Sequence, residues 1–242
     1  MSDIVYSVVV PVFNEEESLA ELHRELVQVM DEIGEVYEII YIDDRSTDGS
    51  GSVLDSLQKE SSTVEVVHFA HHKGQSAAFY AGFQKARGRW IITLDADLQN
   101  DAADIAKIVR YRDEFDLIQG IRKKRKDSLL RHISSQIAFL SRKIVLRDNT
   151  IDTGCSLRCF HRRCLENNFF FFYNFHRFFA YLLQIRDCRI LQIEVNHRPR
   201  RFGKSKYTLW RRLWEGLFDL GGVYWLKRRL IKLDVVRNER KN

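Results

Sequence analysis

Two hydrophobic patterns alternate along the first half of the chain. The run "SVVVPVF" (7–13) is continuous and β-branched, as in a strand buried on both faces. In "NEEESLAELHRELVQVMDEIG" (14–34), Leu19, Leu22, Leu26, Val29 and Ile33 recur at helical spacing behind three glutamates that suit a helix N-terminus. Asn14 is the expected N-cap. The same alternation continues: "EVYEIIYIDD" (35–44) is a strand, "STDGSGSVLDSLQKE" (46–60) a capped turn and short helix, "VEVVHFA" (64–70) a strand and "GQSAAFYAGFQKA" (74–86) a helix. "RWIITLDAD" (89–97), "DAADIAKIVRYRDE" (101–114) and "DLIQGIR" (116–122) follow as strand, helix and strand. Strands alternating with amphipathic helices predict an α/β fold, a mostly parallel sheet with helices on both faces joined by right-handed crossovers.

In such a sheet, ligands bind beyond the carboxyl ends of the strands. Four consecutive strand ends here are polar: Asn14 and Glu15, Asp43 and Asp44, His71 and His72, Asp95 and Asp97. The last pair raises a physical question. Residues i and i+2 of a strand point to one face, so the Asp95 and Asp97 carboxylates would converge and repel unless a cation lay between them. A divalent metal is the expected answer. Neither a G-x-G-x-x-G after the first strand nor a P-loop is present, so a phosphate ligand would have to be held by metal and by basic side chains. "RPRRFGKSKY" (198–207) offers arginines, a glycine, and Ser205 and Lys206 as donors.

Composition narrows the class. The chain has 242 residues, 45% hydrophobic and 30% charged; with two prolines, twelve glycines and no repeat or low-complexity tract, nothing marks an internal linker. "MSDIVYSVVV" lacks the features of a signal peptide, which points to the cytosol. The four cysteines show no C-x-x-C spacing, and ordinary thiols are expected rather than a zinc site with His161. The apolar concentration at 169–185 is broken by Asn174, His176 and Arg177, so it is expected to be a core run rather than a membrane span. Net charge is +6, with basic clusters at 122–126, 198–212 and 227–232. Such clusters suit a phosphorylated ligand, nucleic acid or an anionic membrane surface.

The ordered set "VVVPVFNEEE", "YIDDRSTDGS", "LDADLQ", "GIRKKR", "DTGC" and "RPRRFGKSKY" resembles the family 2 glycosyltransferases of the polyprenyl-phosphate (dolichyl-phosphate mannose synthase-like) group over about residues 7–230. The resemblance implies a single GT-A-type catalytic domain (1–208) and an inverting transfer of mannose, glucose or an N-acetylhexosamine from a UDP- or GDP-linked donor to a polyprenyl phosphate. It places Pro11, Phe13 and Glu15 at the nucleobase, Asp43 and Asp44 at base and ribose, and Asp95, Asp97 and Gln99 on Mg²⁺ or Mn²⁺. It further places Arg122, Arg200, Ser205 and Lys206 on phosphates, with Asp97, Asp152 and Arg200 as the catalytic set. The acidic residue that relatives often carry after "DTG" is replaced by Cys155.

Relatives often continue into transmembrane helices, whereas residues 209–242 hold Leu209, Leu213, Leu217 and Leu220 at helical steps with Trp210, Trp214, Trp225 and flanking arginines. That pattern suits a helix lying in the interface of an anionic membrane. Packing on the catalytic domain or on a second copy is the alternative, and a homo-oligomer is left open. The expected location is peripheral, on the cytoplasmic face of a membrane. Two other functions are open to the sequence: the same donor with a saccharide or protein hydroxyl as acceptor, and a nucleic-acid-binding module. The aspartates at the strand ends argue against nucleic acid, because they repel a phosphate backbone.

Overall fold

The computed structural model describes residues 3–122, 129–166, 169, 171–199, 201 and 209–229. Seven strands form one sheet in the order β3-β2-β1-β4-β6-β5-β7. They are β1 (Tyr6–Val12), β2 (Tyr37–Asp43), β3 (Val64–His68), β4 (Trp90–Thr93), β5 (Leu117–Arg122), β6 (Arg158–His161) and β7 (Ile190–Val195). Pairing is parallel except at β6, which runs antiparallel to both β4 and β5. The helices are α1 (Glu16–Ile33), α2 (Ser50–Glu60), α3 (Gln75–Lys85), α4 (Asp104–Val109), α5 (Leu129–Leu146), α6 (Phe175–Gln184) and α7 (Leu209–Arg229). A single-turn 3-10 helix, Arg162–Leu165, follows β6.

The two-residue period of the strands divides the core. On one face Tyr6, Val8 and Val10 of β1, Ile39 and Tyr41 of β2 and Ile92 of β4 pack with Leu19, Leu22 and Leu26 of α1 and with Ile105 and Ile108 of α4. On the other, Val9, Ile40, Ile42 and Ile91 meet Phe79 and Phe83 of α3, the aromatic face of α6, and Leu220 and Val223 of α7. Gly82 lets α3 settle directly onto β1, since a Cβ there would overlap Val9. Helices on both faces of a mostly parallel sheet are thus observed as expected.

Several local expectations are corrected. Glu15, not Asn14, occupies the N-cap of α1, and no side chain caps it. Asn14 is instead left-handed (φ 56), and its Oδ1 accepts from the Thr47 amide at 2.7 Å. The orphan amides at the start of α1 are satisfied from the next loop: Ser50 Oγ takes Glu15 N at 3.0 Å and Asp48 takes Glu16 N at 3.3 Å. Strand β4 ends at Thr93, four residues before the expected end, and α4 is shorter than its pattern suggests. The phenylalanine-rich stretch is core: Phe169, Phe175, Phe178 and Phe179 are buried and packed ring to ring, for example Phe169 on Phe179 at 5.5 Å.

Helices α5 and α7 pack together, and Lys227 of α7 donates to the Leu146 carbonyl at the end of α5 at 2.8 Å. While Leu220 and Val223 seal the core, the outer side of the pair exposes Ile137, Leu140 and Ile144 of α5 and Leu217, Phe218 (85% exposed) and Trp225 (62% exposed) of α7. Among the described residues, no helix is long and apolar enough to cross a membrane.

Candidate active site

The carboxyl ends of β1, β2 and β4 form one crevice, joined there by the start of the antiparallel β6. Asp95 and Asp97 lie in it, but not through strand pleating. Because β4 stops at Thr93, they sit on a loop that is pinned from several sides. Ser18 of α1 donates to the Ala96 carbonyl at 2.7 Å, Leu98 turns the chain with φ 59, and the Asp97 carboxylate accepts from the Gln99 amide at 3.2 Å. Asn100 pairs with His197 in an isolated bridge, and Arg198 N donates to the Gln99 carbonyl at 2.8 Å. The loop therefore carries the segment after β7 alongside it.

Burial and the charge of Asp97 together push the Asp95 carboxyl up to about 6, against the help of the Ser156 hydroxyl and the positive charges of Arg122 and Arg158. A carboxyl raised despite these partners marks a place where a further positive charge would be stabilising. Gln75, at the first turn of α3, donates to Asp95 Oδ1 at 2.6 Å and fixes its orientation. Among the described residues no three His, Cys, Asp or Glu side chains form a metal cluster. Two carboxylates and the Gln99 amide are hard oxygen donors, the incomplete set that Mg²⁺ or Mn²⁺ accepts when ligand phosphates fill the remaining positions. The residues fit such an ion.

Next to this pair lies an arginine-rich wall. Arg122, at the end of β5, is held by Asp152 through two parallel bonds, Nε to Oδ2 at 2.7 Å and Nη2 to Oδ1 at 2.8 Å. Asp152 is itself anchored: its carbonyl accepts from Gln119 at 2.6 Å, and its carboxylate also accepts from the Gly154 amide at 3.2 Å. Gly154 is needed for this approach, since a Cβ there would come within 2.6 Å of Arg122 Nη2. Asp152 is therefore engaged in orienting a cation. Arg158 of β6 is buried, its charge opposed by desolvation that lowers it to about 10, and its Nη2 donates to the Thr153 carbonyl at 3.1 Å. Cys155 is fully buried against Gly120, and burial raises its thiol to about 11. It faces the core, not the crevice.

On the opposite side, Phe13 stacks on His72 with ring centroids 4.3 Å apart. Asp44 accepts from the Lys73 and Gly74 amides at 2.6 and 2.7 Å, and His72 Nδ1 lies 2.9 Å from its Oδ2. Asp43 accepts from Ser46 N at 2.9 Å and meets His68 Nδ1 at 2.9 Å, while His68 Nε2 reaches Asp55 at 3.1 Å. With a carboxylate on each ring nitrogen, His68 is raised above the ordinary histidine value, first through its bond to Asp43. Both aspartates thus hold the loops that shape the slot. Pro11 of β1 and Glu15 just beyond that strand are half-buried.

Residues 7–170 match the model of the family described as Glycosyl transferase family 2. The chain belongs to this family. It is 38% identical over 214 residues to the undecaprenyl-phosphate 4-deoxy-4-formamido-L-arabinose transferases of Salmonella paratyphi B and Salmonella newport, a stretch covering 85% of this chain and 63% of each relative. The chain thus spans less than two thirds of the length of these curated relatives. Mannosyl-3-phosphoglycerate synthase from Rubrobacter xylanophilus superposes with a TM-score of 0.71 at 14% identity, over 96% of this chain and 77% of that one. Glucosyl-3-phosphoglycerate synthase from Mycobacterium tuberculosis, in complex with Mn²⁺, UDP-glucose and phosphoglyceric acid, gives 0.67 at 17% identity, over 90% and 80%. At these identities the likeness is one of fold, a single GT-A-type domain.

Within this family 2 chain, Asp95, Asp97 and Gln99 share one loop beside Arg122, which Asp152 holds, while Pro11, Phe13, Glu15, Asp43 and Asp44 lie at or just after the carboxyl ends of β1 and β2. Arg200, Ser205 and Lys206 lie outside the described residues. Their neighbour Arg198 is committed to Glu25 at 2.6 Å and Asp101 at 2.8 Å. Sequence reasoning missed Gln75, Ser156 and Arg158. Arg158 left one trace, a charge inside the apolar strand "LRCFH"; Gln75 and Ser156 left none, because only the folded loops bring them to Asp95.

Proposed function

We propose that the chain transfers one sugar from a nucleoside-diphosphate sugar to the phosphate of a polyprenyl phosphate, at the cytoplasmic face of a membrane and with Mg²⁺ or Mn²⁺. The observation that carries the reading is the electrostatic arrangement of the crevice: Asp95, raised by burial and by the charge of Asp97, beside the oriented guanidinium of Arg122. The names of the Salmonella relatives support the acceptor. The bound metal, when present, would neutralise negative charge growing on the departing diphosphate.

This chain's own residues supply position and charge. Phe13 and His72 provide the flat surface against which a nucleobase stacks, with Glu15 and Pro11 beside it and Asp43 and Asp44 as acceptors for base and ribose donors. Asp95, Asp97 and Gln99 direct oxygens at the diphosphate site. Arg122, with Arg200, Ser205 and Lys206 of the basic segment, screens the charge of two phosphorylated substrates that would otherwise repel. An acceptor phosphate oxygen attacks the anomeric carbon from the side opposite the diphosphate, and the donor C–O bond breaks with its electron pair leaving on the diphosphate. A phosphate monoester is largely dianionic at neutral pH, so it needs no base to become a nucleophile. That agrees with an Asp152 tied to Arg122 and a Cys155 turned into the core.

Residues 1–208 would carry this chemistry and 209–242 the attachment. The exposed apolar row on α5 and α7, bordered by Lys143, Arg147, Arg228 and Arg229, suits insertion into the headgroup region of an anionic bilayer. Calorimetry with UDP- and GDP-linked sugars and Mn²⁺, followed by transfer assays to a short polyprenyl phosphate, tests the proposal. Sugar transfer to a saccharide or peptide hydroxyl with none to the lipid phosphate would replace the acceptor; salt-sensitive oligonucleotide binding without nucleotide-sugar binding would overturn the activity.

A further inference from the structure

At the end of the strands opposite the crevice, two cysteines meet. Cys164 lies in the 3-10 turn three residues after β6, and Cys188 two residues before β7. Their sulfurs are 3.8 Å apart. The approach is organised by Asp116, which precedes β5 between them in the sheet: one carboxylate oxygen takes Arg163 Nη2 at 2.5 Å, the other takes Arg189 N at 2.7 Å, and its carbonyl accepts from the Cys164 thiol at 3.6 Å. The residue adjacent to each cysteine is therefore tied to the same side chain. Cys164 is buried and Cys188 partly exposed, so a small solute can reach the second before the first.

We propose that Cys164 and Cys188 form a redox-modifiable dithiol, which hydrogen peroxide converts to an intramolecular disulfide. The Cys188 thiolate attacks the peroxide, the O–O bond breaks, and sulfenic acid and hydroxide form; the hydroxide is neutralised by the proton Cys188 has released. The Cys164 sulfur then attacks the Cys188 sulfur, the S–O bond breaks, and the departing oxygen takes the Cys164 proton to leave as water. Two thiols are oxidised and one peroxide is reduced to two waters. The Cys188 thiol is held below its ordinary value, first by its hydrogen bond with Cys164, against burial and the nearby Asp116 carboxylate and with the help of Arg186 and Arg163, whereas Cys164 is pushed up, first through that same bond and then by burial. The exposure of Cys188 and the burial of Cys164 set the order of the steps. Forming the bond brings the sulfurs from 3.8 Å to the ~2 Å of a disulfide.

The bond would close a loop spanning 165–187, which holds the aromatic core run and α6. Near the first turn of that helix, His176 Nδ1 lies 2.8 Å from Ser76 Oγ, and Ser76 adjoins the Asp95-binding Gln75. Oxidation would thus restrain the lobe that supports the first turn of α3. Cys155 and Cys159 are fully buried and take no part.

The full chain, treated near neutral pH with hydrogen peroxide, capped with N-ethylmaleimide and digested, should give a peptide joining Cys164 to Cys188 and a protein two hydrogens lighter. The thermal midpoint should rise by several degrees, reversed by dithiothreitol. In folded Cys164→Ser, Cys188 should stop at the sulfenic acid and be trapped by dimedone; in Cys188→Ser, Cys164 should stay unmodified. Sulfinic acid on Cys188 without a crosslink, a crosslink between two molecules, or unaltered thiols at peroxide concentrations that oxidise glutathione would overturn the proposal, as would dimedone labelling of Cys164 in Cys188→Ser.

Discussion

Asp97 shows how little side-chain change the site should tolerate. Asp97→Asn keeps the shape and removes one of the two charges, so transfer should fall by ~10²-fold or more, with donor affinity weakened only when Mg²⁺ or Mn²⁺ is present. Turnover in a chelator equal to that in Mn²⁺ would refute the metal role. Asp95 gives a prediction in the folding equilibrium. Its carboxyl is raised to about 6 in the folded protein, so between about pH 4 and 6 the native state holds more protons than the unfolded chain. Stability should fall as pH rises through that window and stay lower above it. Asp95→Asn should flatten this slope and raise the metal-free thermal midpoint at neutral pH. Added Mn²⁺ should stabilise the wild type and not the variant. A variant less stable than the metal-free wild type at neutral pH would show that the carboxylate is not electrostatically frustrated.

At the scale of elements, the loop from Asp152 to Ser156 links β5, β6 and the crevice. Removing one partner of the buried Asp152–Arg122 pair leaves a charge without its counterion, so Asp152→Ala should cost about 3–5 kcal/mol of stability as well as transfer, read by denaturant unfolding. Cys155→Ala, at a core position of the same loop, should leave transfer within a few-fold of wild type. Arg200→Ala should reduce transfer far more. If the acceptor phosphate is its own nucleophile, turnover should rise through that phosphate's second pKa near ~6 and then level off. Because Asp95 titrates in the same range, the decisive comparison uses a phosphonate acceptor of different pKa. The inflection should move with the acceptor, and one that stays in place would assign it to the enzyme.

For the molecule as a whole, the question is what the outer side of α5 and α7 faces. Phe218 and Trp225 are exposed while Leu220 and Val223 of the same helix are buried, so the helix is docked on one side and apolar on the other. The protein is expected to sediment with anionic vesicles and to be released by salt. Phe218→Glu should weaken vesicle binding about tenfold and leave nucleotide affinity unchanged, since the side chain is remote from the core. Vesicle binding unaffected by Phe218→Glu would place attachment elsewhere, and a shift in oligomeric state would give that face to a second copy.

Periodicity and polarity alone specified the alternation of β1 to β5 with α1 to α4, the two-sided burial, and the polar residues that follow the strand ends. These follow from local geometry: a period of two or 3.6 residues is written directly into the order of side chains. The second half was far less legible. Strand β6 is four residues long and antiparallel, β7 is a half-exposed edge, and the apolar positions of α5 and α7 serve partly the core and partly the surface. Even the correct placement of Asp95 beside Asp97 had the wrong local cause, since a pinned loop rather than a strand brings them together. Only the tertiary structure decided that Gln75, Ser156 and Arg158 attend Asp95, that Asp152 is spent on Arg122, that Cys155 points into the core, and that Cys164 meets Cys188. Each joins residues from separate elements, and the energy that selects it, desolvation of charge or closure of a packed core, exists only once those elements have met.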